Sequence, residues 1–237
     1  FVRCNKRGLS VIYGDALSPN LDIGEKRNLM LVNPPFNRHE EIPNDYKDAI
    51  YQLAKEQTGI SISKEAGLYA YHLLIMDKWL CDGGVAIWLL PSIFMQSKYG
   101  MAIRKYLVEN VQLIRIHVYN DELEQFEKIN IATSIVVFRK NIKENKDDIL
   151  FSYGASVEQP ERFNYVNSME LVENMNNWRV LLDRKRIVDL GRNSVTFGDL
   201  FEIKRGIATG ANSFFVMSKE MAIKYHIPDI ALRPLIP

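Results

Sequence analysis

The chain has 237 residues, 30 basic against 29 acidic side chains, and 47% apolar residues, the balance of an ordinary globular protein able to bury a sizeable core. A formal net charge of +1 excludes a surface that is basic all over, though not a local basic groove. The longest apolar run, Val85 to Leu90, stops at Pro91. That is far short of the roughly 20 residues a membrane helix needs.

Phe1-Val2-Arg3-Cys4 opens the chain without a start Met or the charged-then-apolar order of a signal peptide, so a piece of a longer protein is expected. Cys4 and Cys81 belong to no C-x-x-C pair and read as small buried hydrophobes in a reducing cytoplasm. His39, His72, His117 and His226 are scattered, without H-E-x-x-H, so no metal site is expected.

Leu9 to Tyr13, followed by Gly14-Asp15, reads as a strand running into a turn, and Leu29 to Val32 followed by Asn33-Pro34-Pro35 repeats the pattern. Asp45 to Gln57 has helical spacing, with Asn44 as candidate N-cap, and Ala66 to Cys81 reads as a second helix ending at Gly83-Gly84. Val85 to Leu90 has the continuous apolar character of a strand covered on both faces. A helix over 98–110 follows, then strands over 111–118 and 129–138 whose short link predicts an antiparallel pair. Asn141 to Asp148 is a solvated charged loop before a strand at Ile149 to Tyr153. From Val195 the sequence turns Gly-punctuated and β-like, so a second domain should start between Asp183 and Val195.

Two prolines in Asn33-Pro34-Pro35-Phe36 fix φ and remove two donors, leaving the Asn33 and Pro34 carbonyls as acceptors beside an aromatic face. Such a pair of acceptors can take both hydrogens of an aromatic amine, draw its nitrogen toward tetrahedral geometry and expose the lone pair. Phe36 can stack on the ring. Taken alone, the tetrapeptide is equally a tight turn. Asp15, in Gly14-Asp15-Ala16-Leu17, offers a carboxylate where open α/β sheets bind ligands; alone it is more commonly a turn-capping residue.

Together these segments resemble the S-adenosylmethionine-dependent DNA adenine methyltransferases with an N-P-P-[YF] motif, in the TaqI-like order and the type IIG-like restriction–modification branch. The resemblance extends to Leu68-Tyr69, to Gly83-Gly84-Val85-Ala86 through Pro91, and to Glu124-Gln125-Phe126 before Ile131 to Val137. It implies an α/β fold: a Rossmann-like, mostly parallel sheet with one reversed strand, followed by the start of a β-rich target recognition domain. The expected domains are 1–183, catalytic but without its N-terminal cofactor-binding part, and 184–237, linker and recognition-domain start. It further implies Asn33, Pro34, Pro35 and Phe36 as catalytic, and Asp15, Ala16 and Asn33 as cofactor-binding. Phe36 and Phe126 would stack on a flipped adenine. Phe197 to Asn212 is similar to the recognition domain's opening, which offers Lys204, Arg205, Thr209 and Asn212 to double-stranded DNA. A fused or associated nuclease is implied as a partner.

The Gly-rich cofactor turn and the acidic ribose ligand of the family have no counterpart before Leu9, so this stretch alone is expected to bind S-adenosylmethionine weakly and to be inactive. Two other readings share the loop or the fold: a protein-glutamine or RNA methyltransferase, and a non-catalytic DNA-binding module. Glu202-Ile203-Lys204 is set aside as a chance nuclease-like triplet, and the Gly206 segment lacks the ending of a P-loop.

Overall fold

The structure is a computed structural model that describes residues 12–37, 42–120, 132–140, 148–183, 195, 197–202 and 210–234. The chain divides into two compact units, Phe1–Val188 and Asp189–Pro237.

The first unit is built on six strands: β1 (Arg27–Val32), β2 (Leu80–Pro91), β3 (Val111–Tyr119), β4 (Thr133–Lys140), β5 (Ile149–Gly154) and β6 (Arg162–Val166). Their order in the sheet is β1-β2-β4-β3-β5-β6. β1 and β2 pair in parallel, as do β3 and β5, while β4 runs antiparallel to both its neighbours. The reversal of β4 is the one its short link to β3 predicts. A second reversed strand, β6, closes the far edge against β5. Four strands therefore share one direction, and their carboxyl ends, which carry the polar loops, line one edge of the sheet.

Helices α1 (Asn44–Thr58), α2 (Leu68–Ile75), α3 (Met101–Glu109) and α4 (Ser168–Glu173) complete this unit. The helical spacing in 45–57 is realised in α1, but Pro43 occupies the cap position and Asn44 is already helical. Gly59, at φ 70°, ends α1 with its amide on the Lys55 carbonyl, a left-handed cap that glycine adopts without steric cost. Helix α2 is shorter than its apolar pattern predicts. It passes at Met76 into a 3₁₀ turn, and β2 begins at Leu80. The Asp77 carboxylate explains the early stop: it pairs with the Lys140 ammonium at 2.8 Å and accepts from the Tyr106 hydroxyl at 2.6 Å, binding the turn to β4 and α3.

Trp88, Leu90, Val136, Phe138, Ile116 and Phe151 alternate onto one face of the sheet and pack with residues of α2 and α3 and with Trp178 in a continuous core. The opposite face is uneven. Near β3 and β5 it buries a polar network: His117 Nε2 donates to the Gly154 carbonyl at 3.1 Å, and its Nδ1 accepts from the Ser152 hydroxyl at 2.9 Å. Burial holds the His117 imidazole below its usual pKa, in keeping with this neutral tautomer. At β1 the same face leaves Leu29 56% and Leu31 70% exposed. The coverage on both faces expected of 85–90 is thus found on one, with Val85, Ile87 and Leu89 only half buried. Cys81 is also half buried, its thiol donating to Asn28 Oδ1 at 2.7 Å, while Cys4 lies outside the described residues.

In the second unit the described residues form short helices, α5 (Phe197–Leu200), α6 (Asn212–Phe215) and α7 (Lys219–Lys224), and no strand. The Ser218 side chain accepts from the Met221 amide and starts α7, a cap that favours helix locally. Of the Gly-punctuated stretch read as β-like from Val195, Phe197–Leu200 is helical instead, and 203–209 lies outside the described residues. No helix among the described residues is long and apolar enough to cross a membrane.

Candidate active site

The chain leaves β1 at Val32 and enters Asn33-Pro34-Pro35-Phe36-Asn37. Asn33 is exposed, Pro34 buried, Pro35 exposed and Phe36 half buried. The loop is anchored from below. Phe36 packs on the core and meets the Tyr69 ring edge-on, with centroids 6.4 Å apart at 80°. Gly67, the cap of α2, lies so close that a Cβ there would stand 2.8 Å from the Asn37 carbonyl oxygen. Only glycine lets the helix start come this near. The Asn33 side chain and the Pro34 carbonyl have no hydrogen-bond partner among the described residues.

Asp15 is exposed in its own loop. Its Oδ1 accepts from the Leu17 amide at 2.9 Å and its backbone carbonyl from the Ser18 amide at 3.0 Å, so the residue does cap a turn. Its Oδ2 accepts from the Tyr46 hydroxyl of α1 at 2.7 Å. A carboxylate offers about four lone-pair sites, so the two internal donors leave acceptor capacity facing solvent. Leu17 is buried and Ala16 packs against the core beside it, which fixes the loop to the unit. The Ala16 amide makes no hydrogen bond among the described residues.

Helix α2 touches the loop at 33–37 and lies within electrostatic reach of Asp15. Tyr69 and His72 are three residues apart and share a face: the first touches Phe36, and the second lies in the field of Asp15. Burial is the main influence on His72 and holds its imidazole below the usual pKa; its Nδ1 donates to the Leu68 carbonyl at 2.9 Å. Burial first, and then the Asp15 carboxylate, push the Tyr46 phenol up, so it remains a donor at neutral pH. Tyr46 and Gly67 are the residues that the sequence pattern does not single out. Tyr46 shows only as one apolar position of a helix, and Gly67 only as the residue before Leu68.

Phe126 lies outside the described residues, and its described flanks, Asn120 and Ala132, stand on the sheet edge that carries Asn33. Lys204, Arg205 and Thr209 also lie outside the described residues. Asn212 is exposed and begins α6 in the second unit.

The sequence model of the N-6 DNA methylase family matches residues 3–180. The chain belongs to that family. Among curated relatives, the type II methyltransferase M.AccI of Acinetobacter calcoaceticus is 22% identical over 230 residues, covering 91% of this chain and 41% of that protein. M.XamI of Xanthomonas campestris pv. amaranthicola is 25% identical over 210 residues, 86% of this chain and 38% of that protein. The chain thus spans about two fifths of the length of the curated relatives it matches. In fold it is similar to the type IIG restriction endonuclease BpuSI, with a TM-score of 0.57 and 17% identity over 73% of this chain and 23% of that one. It is also similar to a type I restriction–modification methyltransferase subunit from Streptococcus thermophilus, with a TM-score of 0.53 and 19% identity over 69% of this chain and 40% of that one. Membership of a DNA methylase family does not favour the protein-glutamine and RNA readings of the loop.

Proposed function

We propose that the protein is a restriction–modification DNA methyltransferase that methylates the 6-amino group of adenine, and that this chain carries its catalytic loop. The observation that carries the reading is Asn33: an exposed carboxamide with no partner among the described residues, followed by the Pro34 carbonyl at the carboxyl end of β1. S-adenosylmethionine, when bound, supplies an electrophilic methyl group. Asn33 Oδ1 and the Pro34 carbonyl accept the two amine hydrogens, so the nitrogen's lone pair is withdrawn from the ring and offered to that methyl. The extra proton of the methylated nitrogen would pass to water, so no residue of the chain need act as a base. Neither acceptor changes its protonation state.

Phe36, held by Tyr69, offers its ring to an adenine turned out of the duplex. The residues present suit the cofactor's adenine: Asp15 would accept from its amino group, the Ala16 amide would donate to its ring, and Asn33 would border it. The start of a recognition domain is assigned to the second unit, with Lys204, Arg205, Thr209 and Asn212 toward DNA, and a fused or associated nuclease supplies the restriction half. In the full-length protein, Asn33→Ala should lower the rate of tritiated methyl transfer to duplex DNA by about 100-fold or more, with duplex binding retained. Transfer at the wild-type rate would refute the reading.

A further inference from the structure

At the far end of the same sheet edge lies a cleft of about 350 Å³ that none of the catalytic residues lines. Its wall includes Gln96, Tyr153, Arg162, Arg179 and Asp183, with Val180 as an apolar side. Tyr153 comes from the carboxyl end of β5, and Arg162 opens the antiparallel β6. Gln96 follows the turn at the carboxyl end of β2. All three therefore stand on the edge that delivers Asn33.

The cleft is held by fixed groups. Arg162 lies over the Tyr153 ring, its central carbon 4.4 Å from the centroid, and its Nη1 donates to Asp183 Oδ2 at 2.9 Å. A guanidinium has five N–H donors, so stacking and one ion pair leave others directed at the cleft. The Gln96 turn is fastened by Arg104, which is 1% exposed and donates to the carbonyl oxygens of Phe94 and Ser97 and, at 2.7 Å, of Met175. Two guanidinium groups and a carboxamide suit the oxygens of a phosphodiester, and the apolar wall suits the adjoining sugar. Asp183 is the lining group that opposes an anion, and it reduces the charge of Arg162.

We infer that this cleft seats a backbone phosphate of the DNA being methylated. The inference rests on the reading of the protein as a DNA methyltransferase. β1 and β5 are four strand spacings apart, which at about 4.8 Å each puts the cleft about 19 Å from the Asn33 loop. At about 3.4 Å per nucleotide along one strand, that is roughly six nucleotides from the flipped base.

The test is fluorescence anisotropy of a labelled duplex on the full-length protein across a salt series. Arg162→Ala and Arg179→Ala should each flatten the slope of log K against log salt by about 0.9 and weaken binding several-fold at about 0.1 M salt. Arg162→Lys should keep the wild-type slope. Asp183→Asn should act in the opposite direction, tightening binding, whereas a pair that serves only folding predicts the same loss from either side. Wild-type slopes in both arginine variants, or weaker binding by Asp183→Asn, would overturn the inference while leaving the methyltransferase reading intact. A wild-type protein that binds no duplex would overturn that reading, and this inference with it.

Discussion

The Tyr46 hydroxyl donates to the Asp15 carboxylate at 2.7 Å, and this bond ties the Asp15 loop to helix α1 across 31 residues of sequence. The carboxylate keeps its direction because a helix side chain and the Leu17 amide each hold one of its oxygens. Tyr46→Phe removes one hold without opening a cavity. We expect stability to fall by about 0.5 to 1.5 kcal/mol in chemical denaturation. S-adenosylmethionine affinity in the full-length protein, measured by calorimetry, should weaken by about threefold or more as the loop loosens. Unchanged affinity would detach Asp15 from the cofactor.

Gly67→Ala tests how tightly the loop at 33–37 is seated. The backbone of Gly67, at φ −70° and ψ 165°, accepts alanine without strain, so the added Cβ acts through its 2.8 Å approach to the Asn37 oxygen and its 3.0 Å approach to the Tyr69 ring. The loop and the ring beneath it must yield. We expect a cost of about 1 to 2 kcal/mol in unfolding, and a fall in single-turnover methylation of about tenfold or more. A rate lowered no more than the folded fraction would show that the contact serves packing alone.

How much of this was legible in the sequence depends on the range of the interaction. The strands of β1 to β5 show in short apolar runs, and Asn33 to Phe36 shows because two prolines after a strand are rare enough to stand out. Asp15 is visible as a turn residue, but its partner Tyr46 is not, since nothing local distinguishes a tyrosine that faces a distant loop. The end of α2 is illegible for a related reason. Its apolar pattern continues through Trp79, and the stop is imposed by Lys140 and Tyr106 acting on Asp77 from later in the chain. β6 is missed because Phe163 and Tyr165 are exposed on an edge strand, where alternation marks no buried face.

Asp77 supplies the next prediction. The side chains of Lys140 and Asp77 are only 9% and 20% exposed, so Asp77→Ala leaves a buried ammonium with the residue 77 backbone carbonyl as its remaining partner among the described residues, and deprives Tyr106 of its acceptor. Breaking such a pair from one side costs about 3 to 5 kcal/mol. Thermal unfolding should shift down by roughly 10 °C for a protein of this size. A shift under about 2 °C would mean that the pair is solvated.

Tyr71 gives a pH dependence with a definite sign. The residue is fully buried, its hydroxyl has no hydrogen-bond partner among the described residues, and burial pushes its phenol from 10.0 up to about 12. A group whose pKa is raised on folding stabilises fully below its unfolded pKa and loses that contribution as pH rises. Wild-type stability should therefore fall between pH 10 and about 12 more steeply than that of Tyr71→Phe, followed by urea unfolding at several pH values. Near pH 8 the variant should equal the wild type or exceed it by about 1 kcal/mol, because an unsatisfied buried hydroxyl is lost. Parallel curves for the two proteins would place the Tyr71 hydroxyl in contact with water.

β1 turns only Met30 fully inward, opposite Ala86, while Leu29 and Leu31 face outward and Pro34 is buried just past the strand. Side chains alternate along a strand, so the aim of Asn33 is a matter of parity, counted from Met30. One residue inserted between Met30 and Val32 would bulge the ladder to β2 and present the carboxamide to the wrong side. Two would restore its side and carry it about 7 Å farther out. In the proposed mechanism, the reading frame of a six-residue strand is what aims the carboxamide.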